Sequence, residues 1–192
     1  MGFFGLIGCK QKMDLANVYP YIITRDYLTQ GIKDETVIVD TIGTDLFVTL
    51  VKDLNGIVEN VKKSDLEKNG ISVKQAFDTA ISNLDKVLKN QIIKATLFNG
   101  PNGLPFIIFT DHWLSAAAAL STNIYSFGSK NLNSDSIYIS IPQRDVLILF
   151  AKCNNSQLND FKKMIQEKES DSRKPLTFDI FQLDKNGIQR IK

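Results

Sequence analysis

The stretch Ile137-Tyr138-Ile139-Ser140-Ile141-Pro142-Gln143-Arg144-Asp145-Val146-Leu147-Ile148-Leu149-Phe150-Ala151 decides the fold class. Two apolar runs, 137–141 and 146–151, flank the polar break Pro142-Gln143-Arg144-Asp145. β-branched and aromatic residues on both sides of a turn signal predict two strands. Strands joined so closely pair antiparallel, because a parallel pair needs a crossover of roughly a dozen residues.

The same reading repeats outward from this hairpin. Upstream, 92–98 and 104–109 flank the turn cluster Asn99-Gly100-Pro101-Asn102-Gly103. Downstream, 176–183 and 188–191 flank Asp184-Lys185-Asn186-Gly187. Residues 36–61 predict a three-stranded meander with turns at Gly43-Thr44 and Asn55-Gly56. Between the strands lie helix signals. Ser72 and Gln75 form a capping box ahead of Val73, Ala76, Phe77, Ala80, Ile81, Leu84, Val87 and Leu88, one continuous apolar stripe. Lys74–Asp78 and Asp85–Lys89 stand four apart on its wet side, in position to pair.

Leu15, Val18, Tyr19, Ile22 and Ile23 fit a helix face that starts or bends near Val18–Pro20 and stops at Gly31. Asp111 is expected to cap a short helix through Trp113, Leu114 and Ala116–Ala119, and 127–136 to be a polar loop. Asn155 or Ser156 is expected to open a helix bearing Leu158, Phe161, Met164 and Ile165, with a charged loop over 167–174. The expected class is α+β: a largely antiparallel sheet built from hairpins and a meander, with three to four helices packed on it. Residues 1–14 read as an N-terminal arm and 15–192 as a single domain.

Composition narrows the function. The 192 residues are 43% hydrophobic and 23% charged, which excludes disorder as the main state. With 23 basic against 21 acidic residues, net charge gives no argument for nucleic acid. The doublets Lys62-Lys63, Lys162-Lys163 and Arg173-Lys174 are scattered solvated faces, not a binding stripe. One histidine and two cysteines, Cys9 and Cys153, are too few for a structural zinc site, so no metal is expected. No Gly-rich phosphate loop and no Gly-x-Ser-x-Gly elbow occurs, so no cofactor is expected. No run reaches the roughly 18–20 apolar residues of a membrane span, and the default compartment is the cytoplasm. Leu6-Ile7-Gly8-Cys9 matches the residues ahead of a bacterial lipoprotein cysteine, but lacks the basic start and the longer apolar run of a signal. A lipid anchor through Cys9 is the alternative if the true start lies upstream.

Two polar clusters are the candidates for function. Asp111-His112-Trp113 stands where a strand hands over to a helix, with Ser115 beyond it. Neighbours one apart on a helix point in different directions, so this is no triad by spacing. Arg144-Asp145 punctuates the central hairpin, either as a solvated turn or as a polar cluster at a sheet end.

Several segments together resemble the YtpQ-like family of uncharacterised bacterial proteins. The best of them is Ile137 to Leu149, which looks like the family's strand, Pro, polar pair, Asp and Val-Leu-Ile-Leu pattern. Val18-Tyr19-Pro20-Tyr21-Ile22, Ala80-Ile81-Ser82-Asn83-Leu84 and Pro175-Leu176-Thr177 follow in matching order. The sequence departs from typical members by lacking the extension ahead of the Tyr-Pro segment. The resemblance implies a fold neighbourhood and no mechanism. The leading expectation is a non-enzymatic bacterial protein-binding module, in the manner of a toxin-immunity or regulatory protein. Its partner would meet Asp111, His112, Trp113, Arg144 and Asp145. The alternative is a hydrolase or peptidase-like enzyme using Asp111, His112 and Asp145. What separates the two is how those side chains meet.

Overall fold

The computed structural model describes residues 13–29, 35–171 and 175–191. The lipoprotein-like Cys9 and residues 1–12 of the arm expected over 1–14 lie outside the described residues. The class is α+β with antiparallel sheets. In chain order the elements are β1 (Val18–Thr24), α1 (Arg25–Thr29), β2 (Ile38–Ile42), β3 (Leu46–Leu54), β4 (Ile57–Asn60), α2 (Lys63–Lys68) and α3 (Val73–Lys89). Then follow β5 (Lys94–Asn99), β6 (Pro105–Thr110), a 3₁₀ turn (Ala116–Leu120), α4 (Ile124–Leu132), β7 (Ile137–Gln143), β8 (Val146–Ala151), α5 (Asn155–Glu169), β9 (Ile180–Asp184) and β10 (Gly187–Arg190).

The strands form two sheets. The smaller carries β1 on one edge of β3, with β2 and β4 end to end along its other edge. The strands expected over 36–61 are antiparallel neighbours, but not as a meander: β1 takes one edge of β3, so β2 and β4 share the other instead of flanking it. The larger runs β10-β9-β7-β8-β6-β5, with every pairing antiparallel. Strand alternation buries both of its faces. Ile107, Ile139, Leu147, Leu149 and Phe181 meet α3, α4, the 3₁₀ turn and the small sheet. Phe106, Tyr138, Ile148 and Phe150 face the other way, onto Phe161 and Ile165 of α5. The Phe150 and Phe161 rings stack at 4.2 Å.

The helix expected to start near Val18 is instead strand β1. Tyrosines at 19 and 21 alternate with buried Val18, Pro20 and Ile22, a period of two rather than 3.6. Pro20 tolerates this because β1 is an edge strand. Bonds from Asp53 N–H to Asn17 O and from Arg25 N–H to Asp45 O place the odd positions in the hydrogen-bonded pairs. Pro20, at an even position opposite Leu50, turns its donorless nitrogen away from β3.

Helix α3 spans the residues its spacing predicts, with Ser72 Oγ accepting from Gln75 N–H at 3.1 Å. Among the described residues the reciprocal Gln75 bond of a full capping box does not form, and Val73 is exposed rather than part of the buried stripe. Lys74 pairs with Asp78 at 2.6 Å. Asp85 does not pair with Lys89; the hydroxyls of Ser121 and Thr122 take its carboxylate at 2.5 and 2.6 Å. The polar stretch 127–136 is largely helix α4, whose Leu132 and Ile124 bury under the large sheet. The last described helix opens at Asn155 as expected, capped by Asn154 with Gln157, and runs into the expected loop as far as Glu169. Five α-helices stand among the described residues, two of them short, against the three to four expected.

Candidate functional site

A tight turn and a sharp loop are brought together at one end of the large sheet. Arg144 and Asp145 are the two loop residues between β7 and β8, with Gln143 opposite Val146. A register shift between Ser140 and Gln143 puts one extra residue in β7 around Pro142, a residue that sheets accept at bulges. Downstream of β6, Asp111 adopts φ +63°, a left-handed conformation that aspartate tolerates better than most side chains. A residue there cannot serve as an N-cap, which needs extended backbone. Ser115, not Asp111, precedes the 3₁₀ turn, and no side chain caps it. The expected Asp111 cap is therefore corrected. The loop is tied to the hairpin by one main-chain bond, Ala116 N–H to Arg144 O at 3.2 Å.

The result is a cleft of about 320 Å³ lined by Asp111, His112, Trp113, Arg144, Asp145 and Tyr21. All five residues singled out by sequence thus line one cleft. Tyr21 was missed, as were its neighbours Tyr19 and Tyr27. Tyr19 and Tyr21 project from the same side of β1 onto Trp113, with ring centroids 5.7 and 6.0 Å away. His112 stacks on the indole at 5.9 Å. The signal that could have found the tyrosines is their alternation in Val18-Tyr19-Pro20-Tyr21-Ile22.

Arg144 is the one cation of this wall. Its guanidinium lies 4.8 Å from the Tyr27 ring centre and 5.6 Å from that of Tyr21. Such aromatic contacts are worth about 0.5–2 kcal/mol, depending on desolvation. Among the described residues no carboxylate pairs with it. Its Nε and the Oδ1 of Asp145 are both buried and make no hydrogen bond among the described residues. Each such unpaired buried group costs about 1–3 kcal/mol. An unpaired donor and an unpaired acceptor are thus buried on adjacent residues of the cleft wall.

His112 is arranged against base catalysis. Leu114 N–H donates to its Nδ1 at 3.2 Å. That bond occupies the single acceptor of a neutral imidazole and leaves the proton on Nε2. Burial lowers its pKa, only partly opposed by the Asp53 carboxylate, so the ring is neutral at pH 7. A triad base needs the reverse: a carboxylate on Nδ1–H and a free Nε2 lone pair. Among the described residues, no hydrogen bond links Asp111, His112 and Asp145, and no cluster of His, Cys, Asp and Glu could hold a metal ion.

Behind the hairpin, Gln143 Nε2 donates to Glu169 Oε2 at the end of α5. Burial pushes the Glu169 carboxyl above the usual range, the Gln143 bond works against this, and the nearby Asp145 charge adds a smaller upward push. Cys153 is half-buried beside the α5 face of the sheet, and burial pushes its thiol up, the opposite of a reactive thiolate. A larger hollow of about 1000 Å³ opens between α3, β5 and α4 and contains none of the five candidate residues. No family model matches the chain, and neither a curated protein nor a solved structure does.

Proposed function

We propose that this chain is a non-enzymatic protein-binding module, a toxin-immunity or regulatory protein that meets one specific partner through the Arg144 cleft. The observation that carries the reading is Arg144 itself, stacked on two tyrosines, without an acidic partner among the described residues, beside half-buried Trp113. Arginine, tryptophan and tyrosine dominate the energetics of protein interfaces. A carboxylate from the partner would pair with the guanidinium. Asp111, exposed at the rim, would act on orientation and on-rate more than on affinity. Kinship with the YtpQ-like family and a cytoplasmic site of action belong to the same proposal. An acylated Cys9 in native material would move the protein to a membrane surface and remove the second of these.

The competing reading is a hydrolase or peptidase-like enzyme using Asp111, His112 and Asp145. Their shared cleft favours it, and the occupied Nδ1 of His112 counts against it. The test pairs melting with affinity. The partner is recovered from source cells with tagged protein, and its affinity is measured for wild type, Trp113→Ala and Asp145→Ala. Truncating Trp113 is expected to weaken association by about 2 kcal/mol or more while the melting transition survives. A collapsed transition would assign Trp113 to the core alone. Turnover of ester or peptide substrates that disappears in His112→Ala would favour the enzyme.

A further inference from the structure

The two edges of the large sheet are unlike. β10 is four residues long and ends in Gln189 and Arg190, the short polar form in which proteins blunt an edge. β5 is six residues long, exposed throughout, and pairs with β6 alone. Leu97 is 58% exposed and Phe98 44%. Among the described residues nothing bonds the outward N–H and C=O groups of this strand. An unblunted edge of this kind is a template for another strand.

The hollow of about 1000 Å³ lies beside that edge. Leu88, Ile93, Phe109 and Phe127 supply its apolar lining. Lys86, Lys89 and Lys94 also line it, and none of them has an acidic partner among the described residues. Asp85, the one carboxylate there among the described residues, is held by Ser121 and Thr122. A free edge, an apolar hollow and three unpaired cations thus occupy one surface.

We infer that this surface binds an extended acidic segment of a partner protein as an added strand on β5. Its main chain would pair with β5, its apolar side chains enter the hollow, and its carboxylates reach the three lysines. A free lipid anion would use the lysines and the hollow but leave the strand edge unpaired. A second copy of this chain would set three lysines against three lysines. The inference is independent of the Arg144 cleft.

The probe is an acetylated, amidated octapeptide with valine and glutamate at successive positions of the face toward the hollow and threonine on the other face, titrated calorimetrically into the full chain. Saturable one-to-one binding is expected, with slowed amide exchange over 94–99. The Lys89→Glu, Lys94→Glu double variant should bind about tenfold more weakly or worse, with its melting transition retained. The same peptide N-methylated at alternate residues should not bind, a control that leaves the protein untouched. No binding, or equal binding by a lysine–valine peptide, would overturn the inference. Undiminished binding of the N-methylated peptide would overturn it in favour of a lipid-like occupant. Self-association of the free chain abolished by Leu97→Lys would overturn it in favour of a second copy.

Discussion

Replacing Asn83 with alanine cuts the tie between α3 and β1, and the structure gives the size of the effect. Asn83 is buried in the apolar stripe of α3, and its Nδ2 donates to Leu15 O at 2.8 Å and Val18 O at 3.0 Å. The Leu15 carbonyl keeps a second donor, Val18 N–H at 3.1 Å. The Val18 carbonyl sits at an even position of β1, where main-chain groups point away from β3, so Asn83 is its replacement for a ladder bond. Two net hydrogen bonds are worth about 1 kcal/mol each, and a newly orphaned buried carbonyl adds about 1–3 kcal/mol. Allowing for partial relaxation, we expect about 3 kcal/mol of destabilisation. Asn83→Asp should cost at least as much at neutral pH, because a carboxylate only accepts. The exposed neighbour Ser82→Ala should stay within about 0.5 kcal/mol. Urea unfolding at pH 7 measures all three, with an unchanged m-value as the check on two-state behaviour. A cost below about 1 kcal/mol for Asn83→Ala would refute the bridge.

Three further outcomes follow from the same packing. Phe77 is half-buried between the two parts of the core that α3 joins, so Phe77→Ala should cost about 2–3 kcal/mol in thermal or urea melting, below the range of a fully buried ring. A Cβ on Gly100 would stand 2.8 Å from Leu104 O and 2.8 Å from the Phe161 ring, so Gly100→Ala should cost about 1–3 kcal/mol and be softened by Phe161→Leu. Glu169 has a raised folded pKa, so its contribution is complete below its ordinary value of 4.5 and is lost as pH rises through the folded value. Wild type should therefore lose stability relative to Glu169→Gln as pH rises from 4.5, and a difference flat in pH would contradict the burial of that carboxyl.

The elements legible in the sequence are those whose local pattern and tertiary role agree. The apolar stripe of α3, the turn at Arg144-Asp145 and the terminal hairpin each carry their own boundary signals. Where two periods compete, reading failed. Val18, Tyr19, Ile22 and Ile23 satisfy a helix face, yet the alternating tyrosines belong to a strand, and the pairing with β3 decides between them. Residues 127–136 are polar enough for a loop, yet Ile124, Gly128 and Leu132 at four-residue spacing make one buried helix face. Gly128 lets the helix sit close to the sheet, since a Cβ would lie 2.9 Å from Leu149 Cδ2. The cleft was half legible. Its five residues announce themselves as polar or aromatic breaks beside strands, but their meeting depends on the Ala116–Arg144 bond, a contact no local pattern encodes. The tyrosines around Arg144 were lost with the misread strand. The free edge of β5 was invisible for another reason: whether a strand has one neighbour or two is a property of the sheet order.

The central claim is that Arg144 is held ready for a partner's carboxylate. Its most direct test is calorimetric titration of the recovered partner into wild type and Arg144→Ala, each at low and high salt, with melting curves recorded in parallel. The account predicts an affinity loss of about 2 kcal/mol or more, a weaker salt dependence for the variant, and a melting transition close to that of wild type. Equal affinity and equal salt dependence in a folded variant would contradict it.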